Sequence, residues 1–318
     1  MPHPQHRPPL DPVTTGALVL AIVAVSSSGA LVAFAAASAL AVAFWRNLLS
    51  LAVLGPFSLA RRRSEFRTLV SQAGRREGWY CVLSGVALAA HFATWMPSVQ
   101  LTSVATATAM VATQPVWQGV IARAQGRRLP ALVWAGIGLA VAGAVLVSGA
   151  DFAVSGRAFA GDLLAVAGGL FAAVYTALGE RARVSISTAT YTTICYGVCA
   201  VILLVVCLVG RVPLTGFDAA TWAAILALVV GAQLLGHSMF NYALRRVSAT
   251  TISVLILLEV PGAALIAWVW LDQLPQPLAL PGLALLLAGV AVVVVGGARA
   301  GRGVKPVPVP ADPAPLGD

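Results

Sequence analysis

Polar side chains are scarce in the long apolar runs of this chain, and those present stand at spacings that chemistry can use. Glu259 lies near the middle of one run, within Leu257-Leu258-Glu259-Val260-Pro261. Desolvation disfavours a charged carboxyl, so such a group can trade a proton with whichever aqueous side reaches it, or lock its helix to a neighbour as a neutral or ion-paired group. Arg46 is the other fully charged residue well inside a run. It can snorkel toward headgroups, or face inward, where its fork of donors suits the two oxygens of a carboxylate, either that of a substrate or that of Glu259. His91 and Trp95 are four apart, so a helix puts them on one face. Gln233, His237 and Asn241 repeat that spacing as a polar stripe. Gln114 precedes Pro115 much as Glu259 precedes Pro261, and an amide can serve a guest molecule or backbone carbonyls freed by the proline. An ionisable group at the centre of a bilayer costs roughly 2.5–3.5 kcal/mol on insertion scales, so these side chains must face protein or water. The stripe either lines a polar path or forms interhelical hydrogen bonds.

The elements that carry them are transmembrane helices. Of 318 residues 59% are hydrophobic and only 10% charged, and the mean hydropathy is +0.90. A helix crosses about 30 Å of hydrocarbon with about 20 mostly apolar residues. Ten stretches qualify, at roughly 14–35, 39–59, 78–98, 103–122, 131–149, 160–179, 187–209, 219–243, 250–270 and 277–297. With the N-terminus inside, seventeen of the twenty Lys and Arg residues fall in inside segments and two, Arg157 and Arg211, in outside loops. That partition follows the positive-inside rule and sets both termini in the cytoplasm. The first run is read as a retained span, because no convincing cleavage site accompanies it. Residues 1–13 and 299–318 are Pro-rich tails expected to be disordered.

A diverged repeat runs through the chain at a period of about 145 residues: Ser103 to Gly149 parallels Ser248 to Gly297, each with a mid-span proline (Pro115, Pro261) and a Gly-spaced final helix. Residues 14–150 and 151–298 therefore form two five-span repeats. An odd number of spans inserts the halves in opposite senses, which favours a binding site at the midplane between corresponding broken helices. The prolines either mark that break or merely kink helices for packing.

The formal charge of +9 does not imply nucleic acid, because the arginines are scattered between apolar runs and cover no single face. Cys81, Cys195, Cys199 and Cys207 show no metal-ligand spacing. The single lysine, Lys305, rules out a P-loop, and no zinc-protease motif or nucleophile elbow occurs. No cofactor, metal or catalytic residue is expected, and the partners are a small-molecule solute and the lipid bilayer. A secondary carrier is the leading reading; a passive channel comes next, then an intramembrane enzyme.

The runs His91-Phe92-Ala93-Thr94-Trp95, Thr102-Ser103-Val104-Ala105-Thr106-Ala107-Thr108 and Thr113-Gln114-Pro115-Val116-Trp117 resemble the first repeat of EamA-type permeases of the drug/metabolite transporter superfamily. Leu257-Leu258-Glu259-Val260-Pro261-Gly262-Ala263-Ala264 resembles the second. The likeness spans about residues 14–297. It implies an all-α fold of ten helices in two inverted five-helix repeats, in the inner (cytoplasmic) membrane, and efflux of small metabolites such as amino acids. The turns at Gln125-Gly126-Arg127-Arg128 and at Asp272 depart from the family, where glutamate is common. On this reading Arg46, His91, Trp95, Gln114, His237, Asn241 and Glu259 line the solute path, with Glu259 the candidate for proton coupling.

Overall fold

The computed structural model describes residues 11–126, 129–149 and 156–273, with most positions between 280 and 295. Residues 1–10 of the N-terminal tail, the tail 299–318, the pair Arg127-Arg128, the turn Leu274-Pro275 and parts of the tenth stretch lie outside the described residues. Helix α1 (Pro12–Ser26) begins two residues before the expected boundary. Proline suits a first turn, and the Asp11 side chain caps it by accepting from the Thr14 amide at 2.6 Å. After Ser27 the same rod continues as α2 (Ser28–Phe34). Helices α3 (Ala39–Arg61), the short α4 (Arg63–Val70) and α5 (Arg75–Leu101) follow. The fourth stretch is broken into α6 (Val104–Val111) and α7 (Gln114–Ala124). Next come α8 (Ala131–Gly149), α9 (Gly156–Ala182) and α10 (Thr188–Val209). The eighth stretch is α11 (Ala219–Leu228), a π-helical segment Val229–His237 and α12 (Ser238–Ala243). The ninth is α13 (Ala249–Leu255), a 3-10 turn Ile256–Leu258 and α14 (Glu259–Leu271).

Seven helical rods among the described residues are long and apolar enough to cross a bilayer: Pro12–Phe34, Ala39–Arg61, Arg75–Leu101, Gly156–Ala182, Thr188–Val209, Ala219–Ala243 and Ala249–Leu271. The break after Val111 leaves the fourth stretch as two helices each too short to span alone, and the tenth runs into residues outside the described set. Their outward faces are apolar, with Val23 64%, Val201 63% and Val269 73% exposed, whereas Arg46, Asn47, Ser84 and Gln233 are wholly buried. Water would reverse that distribution; lipid requires it. The chain is an all-α, multi-pass integral membrane protein.

Packing joins the first half of the chain to the second. The α5 helix lies along α9, while the α1 rod lies along the π-helical segment and α12; α3 pairs with α10; α6 and α7 meet α14 and α13 respectively. The α3–α10 pair is pinned at both ends. Near the start of α3, Trp45 Nε1 donates to the Leu214 carbonyl beyond the end of α10, at 2.7 Å. Past the end of α3, Glu65 Oε2 accepts from the Ser187 amide and hydroxyl, ahead of α10, at 3.1 and 2.7 Å. Burial works against the charge of Glu65, but hydrogen bonds from Ser187 and Thr190, with Arg62 nearby, hold its carboxyl below the ordinary range.

Two measurements follow from this packing. A Cβ on Gly85 would come within 2.7 Å of Val198 Cβ and 2.8 Å of the Cys195 carbonyl, so Gly85 is what lets α5 touch α10. Gly85→Leu should cost about 1–3 kcal/mol by overpacking, read as a lower apparent melting temperature in detergent, while Gly138→Ala, where nothing lies within 4 Å, should not. A glutamate held below its ordinary value of about 4.3 stabilises the fold above that pH and loses the contribution as pH falls through its folded value. Glu65→Gln should therefore flatten the acid limb of a stability-versus-pH curve; an unaltered limb would remove Glu65 from that role.

Candidate functional site

One cavity, of about 50 Å³, gathers side chains from both halves of the chain. The first half supplies Val25, Ser28, His91, Trp95, Val111 and Gln114, and the second supplies Tyr175, Thr176, His237, Asn241 and Glu259 among others. Six of the seven residues picked from the sequence thus converge on one space. None points at lipid: His91 is 7%, Trp95 4%, Gln114 3%, Asn241 1% and Glu259 8% exposed, and His237 is half-buried.

The helix breaks deliver the key pair. Gln114 is the first residue of α7 and Glu259 the first of α14, each just after an irregular turn and just before a proline (Pro115, Pro261). Proline has no N–H for the carbonyl four residues back, Val111 for Pro115 and Leu257 for Pro261, so the irregularity falls on its N-terminal side in both. Gln114 Nε2 donates to Thr176 Oγ1 at 3.2 Å, and Thr176 donates onward to the Ala172 carbonyl at 2.7 Å. No hydrogen bond is formed by the Glu259 carboxyl among the described residues.

On the facing wall, His91 Nδ1 lies 3.0 Å from the Gly168 carbonyl. A carbonyl only accepts, so Nδ1 carries the proton of this bond. The His91 and Trp95 rings stack at 5.8 Å, with planes 4° apart. Gly168 makes room for this wall, since a Cβ there would press on Trp95 Cβ at 2.9 Å. The Trp95 indole N–H and Asn241 Nδ2 are buried with no hydrogen-bond partner among the described residues.

The polar stripe divides. His237 and Asn241 line the cavity, but Gln233 turns away and accepts from Arg46 Nε at 2.8 Å. A π-helix bonds five residues back instead of four, which rotates Gln233 off the line that regular α geometry would draw. Ser238 Oγ closes that turn on the Gln233 carbonyl at 3.1 Å. Arg46, for which both snorkelling and an inward position were open, is wholly buried behind the cavity wall and does not line it. Residues with no distinguishing sequence signal also matter here. Tyr175 donates to Asn241 Oδ1 at 2.8 Å, and Asn47 accepts from Gln233 Nε2 at 3.1 Å. Tyr175 is a single polar tip within an apolar span, without a partner at helical spacing. Arg183, counted among the loop charges, is 2% exposed and donates to the Asn241 carbonyl at 3.0 Å. Among the described residues no three His, Cys, Asp or Glu side chains converge as a metal would need.

Helices with apolar exteriors around a partly open, largely apolar cavity into which a few polar side chains project fit a membrane carrier of small molecules. The model of the EamA-like transporter family matches residues 14–149 and again 159–295. The chain belongs to that family, within the drug/metabolite transporter superfamily, and is a secondary transporter and not an enzyme. It is similar to an uncharacterized transporter of Archaeoglobus fulgidus, at 27% identity over 212 residues, which cover 65% of this chain and 72% of the relative. A solved crystal structure matches with a TM-score of 0.71 and 20% identity, over 91% of this chain and 98% of that one; at that identity the likeness concerns the fold alone.

The Tyr175–Asn241 bond makes the site testable as a structure. Tyr175→Phe strips Asn241 of a buried donor and should cost about 1–3 kcal/mol, seen as a lower apparent melting temperature. An unchanged melting point would mean that this bond does not hold the wall.

Proposed function

We propose that the chain exports small metabolites, amino acids or related compounds first among them, by alternating access about the central cavity. The halves, residues 14–150 and 151–298, are two five-span bundles inserted in opposite senses in the inner membrane, giving ten spans with both termini cytoplasmic. The observation that carries this is that the cavity draws on both family-matched segments: His91, Trp95 and Gln114 from one, His237, Asn241 and Glu259 from the other, among others. Opposite insertion is supported by α3 and α10, which occupy corresponding places in the two halves. The start of the first meets the end of the second, and its end meets the other's start. The half-helices beginning at Gln114 and Glu259 fit the pattern of paired breaks at a midplane site.

Glu259 is the group suited to proton coupling. It is an ionisable side chain inside the cavity, free of hydrogen-bond partners among the described residues, so solvent reaching the cavity from either side can exchange its proton. Gln114, in the same place of the other half, has no proton to trade.

Counterflow in proteoliposomes tests both parts. Purified protein should support saturable counterflow, whereas flux that rises linearly with concentration would indicate a channel. Glu259→Gln should retain counterflow while losing the dependence of net transport on pH. A variant whose pH profile matches the parent defeats the proton role.

A further inference from the structure

Behind the cavity wall a buried cation is held in place with four of its five N–H donors unused. Of the Arg46 guanidinium nitrogens only Nε is bonded, to Gln233 Oε1 at 2.8 Å. Neither Nη1 nor Nη2 has a hydrogen-bond partner among the described residues, and both are buried. The supporting chain is otherwise complete: Gln233 Nε2 donates to Asn47 Oδ1 at 3.1 Å, and Asn47 Nδ2 donates to the Ala43 carbonyl at 2.8 Å. Orientation is thus fixed while the two terminal nitrogens of the fork are left over. An apolar side chain of similar volume would fill the space without the desolvation penalty of an unpaired charge, so packing alone does not account for arginine. Tyr196, whose hydroxyl bonds Ser238 at 3.0 Å, is neutral and cannot offset the charge; Glu259 is the carboxyl within electrostatic reach, but it makes neither a hydrogen bond nor an ion pair with the fork among the described residues.

A single ring separates this cation from the cavity. The guanidinium carbon sits 4.3 Å from the centroid of Phe92, and Phe92 meets the ring of His237, a cavity residue, edge-on at 5.3 Å. His237 ends the π-helical segment, a geometry that recurs at functional sites. Phe92 is also the chain neighbour of His91 on α5, so a change at the cavity wall bears directly on it.

We propose that Arg46 is an anion subsite of the solute path, shut off by the Phe92 ring, and that it receives the carboxylate of the solute when that ring swings aside. The paired N–H groups of the fork match the two oxygens of a carboxylate. The remaining walls, Trp95, Val111, Phe240 and Ile256, suit an apolar body, and Glu259 can meet an ammonium where one is present. The class selected is a small carboxylate with an apolar body, with or without an amine; bare amines and amides leave Arg46 unpaired. This inference rests on the cavity being the solute path.

The test uses the full chain in detergent and in proteoliposomes. Probes are a panel of apolar L-amino acids, each with its amide and its deaminated acid, plus sodium chloride as an inorganic anion. Acids of either kind should raise the melting temperature and the matched amides should not. Arg46→Gln should weaken acid binding at least about tenfold, with Arg46→Lys in between. Amides that bind as well as acids, no acid that binds at all, or stabilisation by chloride alone would each overturn the assignment. Phe92→Ala, which leaves the guanidinium in place, gives an independent reading. Arg46 should resist phenylglyoxal in the parent and react in the variant, by mass spectrometry of its peptide, with bound acid restoring protection. Equal protection in both proteins defeats the gate. Counterflow keeps the two readings apart: acids that bind but are not carried sink the carrier, whereas acids and amides carried equally sink only the role of Arg46.

Discussion

Hydrocarbon offers no partner to a backbone N–H or C=O, so every interruption of a helix within the bilayer must be satisfied by protein or open onto a polar space. In this chain the interruptions do both. At Ser27 the hydroxyls of Ser26 and Ser27 fold back on the Ile22 and Ala24 carbonyls. Between α6 and α7, Thr113 does the same to the Met110 carbonyl. The residues flanking these breaks and the 3-10 turn (Ser28, Val111, Gln114, Ile256 and Glu259) all line the cavity. The breaks locate the cavity, and the hydroxyls make them tolerable.

The same constraint shapes the two halves alike and then lets them diverge. Ser103 caps α6 by accepting from Thr106, and Ser248 caps α13 by accepting from Thr251, both at 3.0 Å. Eleven residues beyond each cap the chain places a polar side chain at the head of a resumed helix, Gln114 in one case and Glu259 in the other. The backbone device is shared, but the chemistry is not. Only the second half presents an acid there, and among the described residues only its third span carries a π-helical segment.

Much of this was legible because polar residues are rare in apolar spans. His91, Trp95, Gln114, His237, Asn241 and Glu259 stood out by being unaffordable in lipid, and that argument needs no coordinates. It gave no answer for Arg46, since a long side chain near a span end can reach either headgroups or core, and only packing decides. It grouped Gln233 with His237 and Asn241 because spacing by fours presupposes α geometry, which the π turn breaks. It passed over Tyr175 and Thr176, whose hydroxyls ride on side chains common in apolar helices. Arg183 read as a loop charge because position relative to a span end says nothing about what folds over it. The count of spans was limited in the same way: hydropathy reads the fourth stretch as continuous, while the backbone divides it after Val111.

The distribution of regular and irregular backbone around the cavity is itself uneven. One side is the seam of α5, α9 and α10, unbroken helices brought close by Gly85 and Gly168, where a single added methyl would collide. Such interfaces are close-packed and transmit displacement without absorbing it. The other elements are the π-helical segment, the 3-10 turn and the α6–α7 break, where the helical ladder is already interrupted; the break itself packs on α9, against Gly169. Arg46 and its acceptor straddle the two, the first on α3 packed to α10, the second within the π-helical segment. A hydrogen bond that joins a stiff element to an irregular one is strained first when the two shift relative to each other. That places the buried guanidinium at the junction where any rearrangement of the cavity wall must be felt.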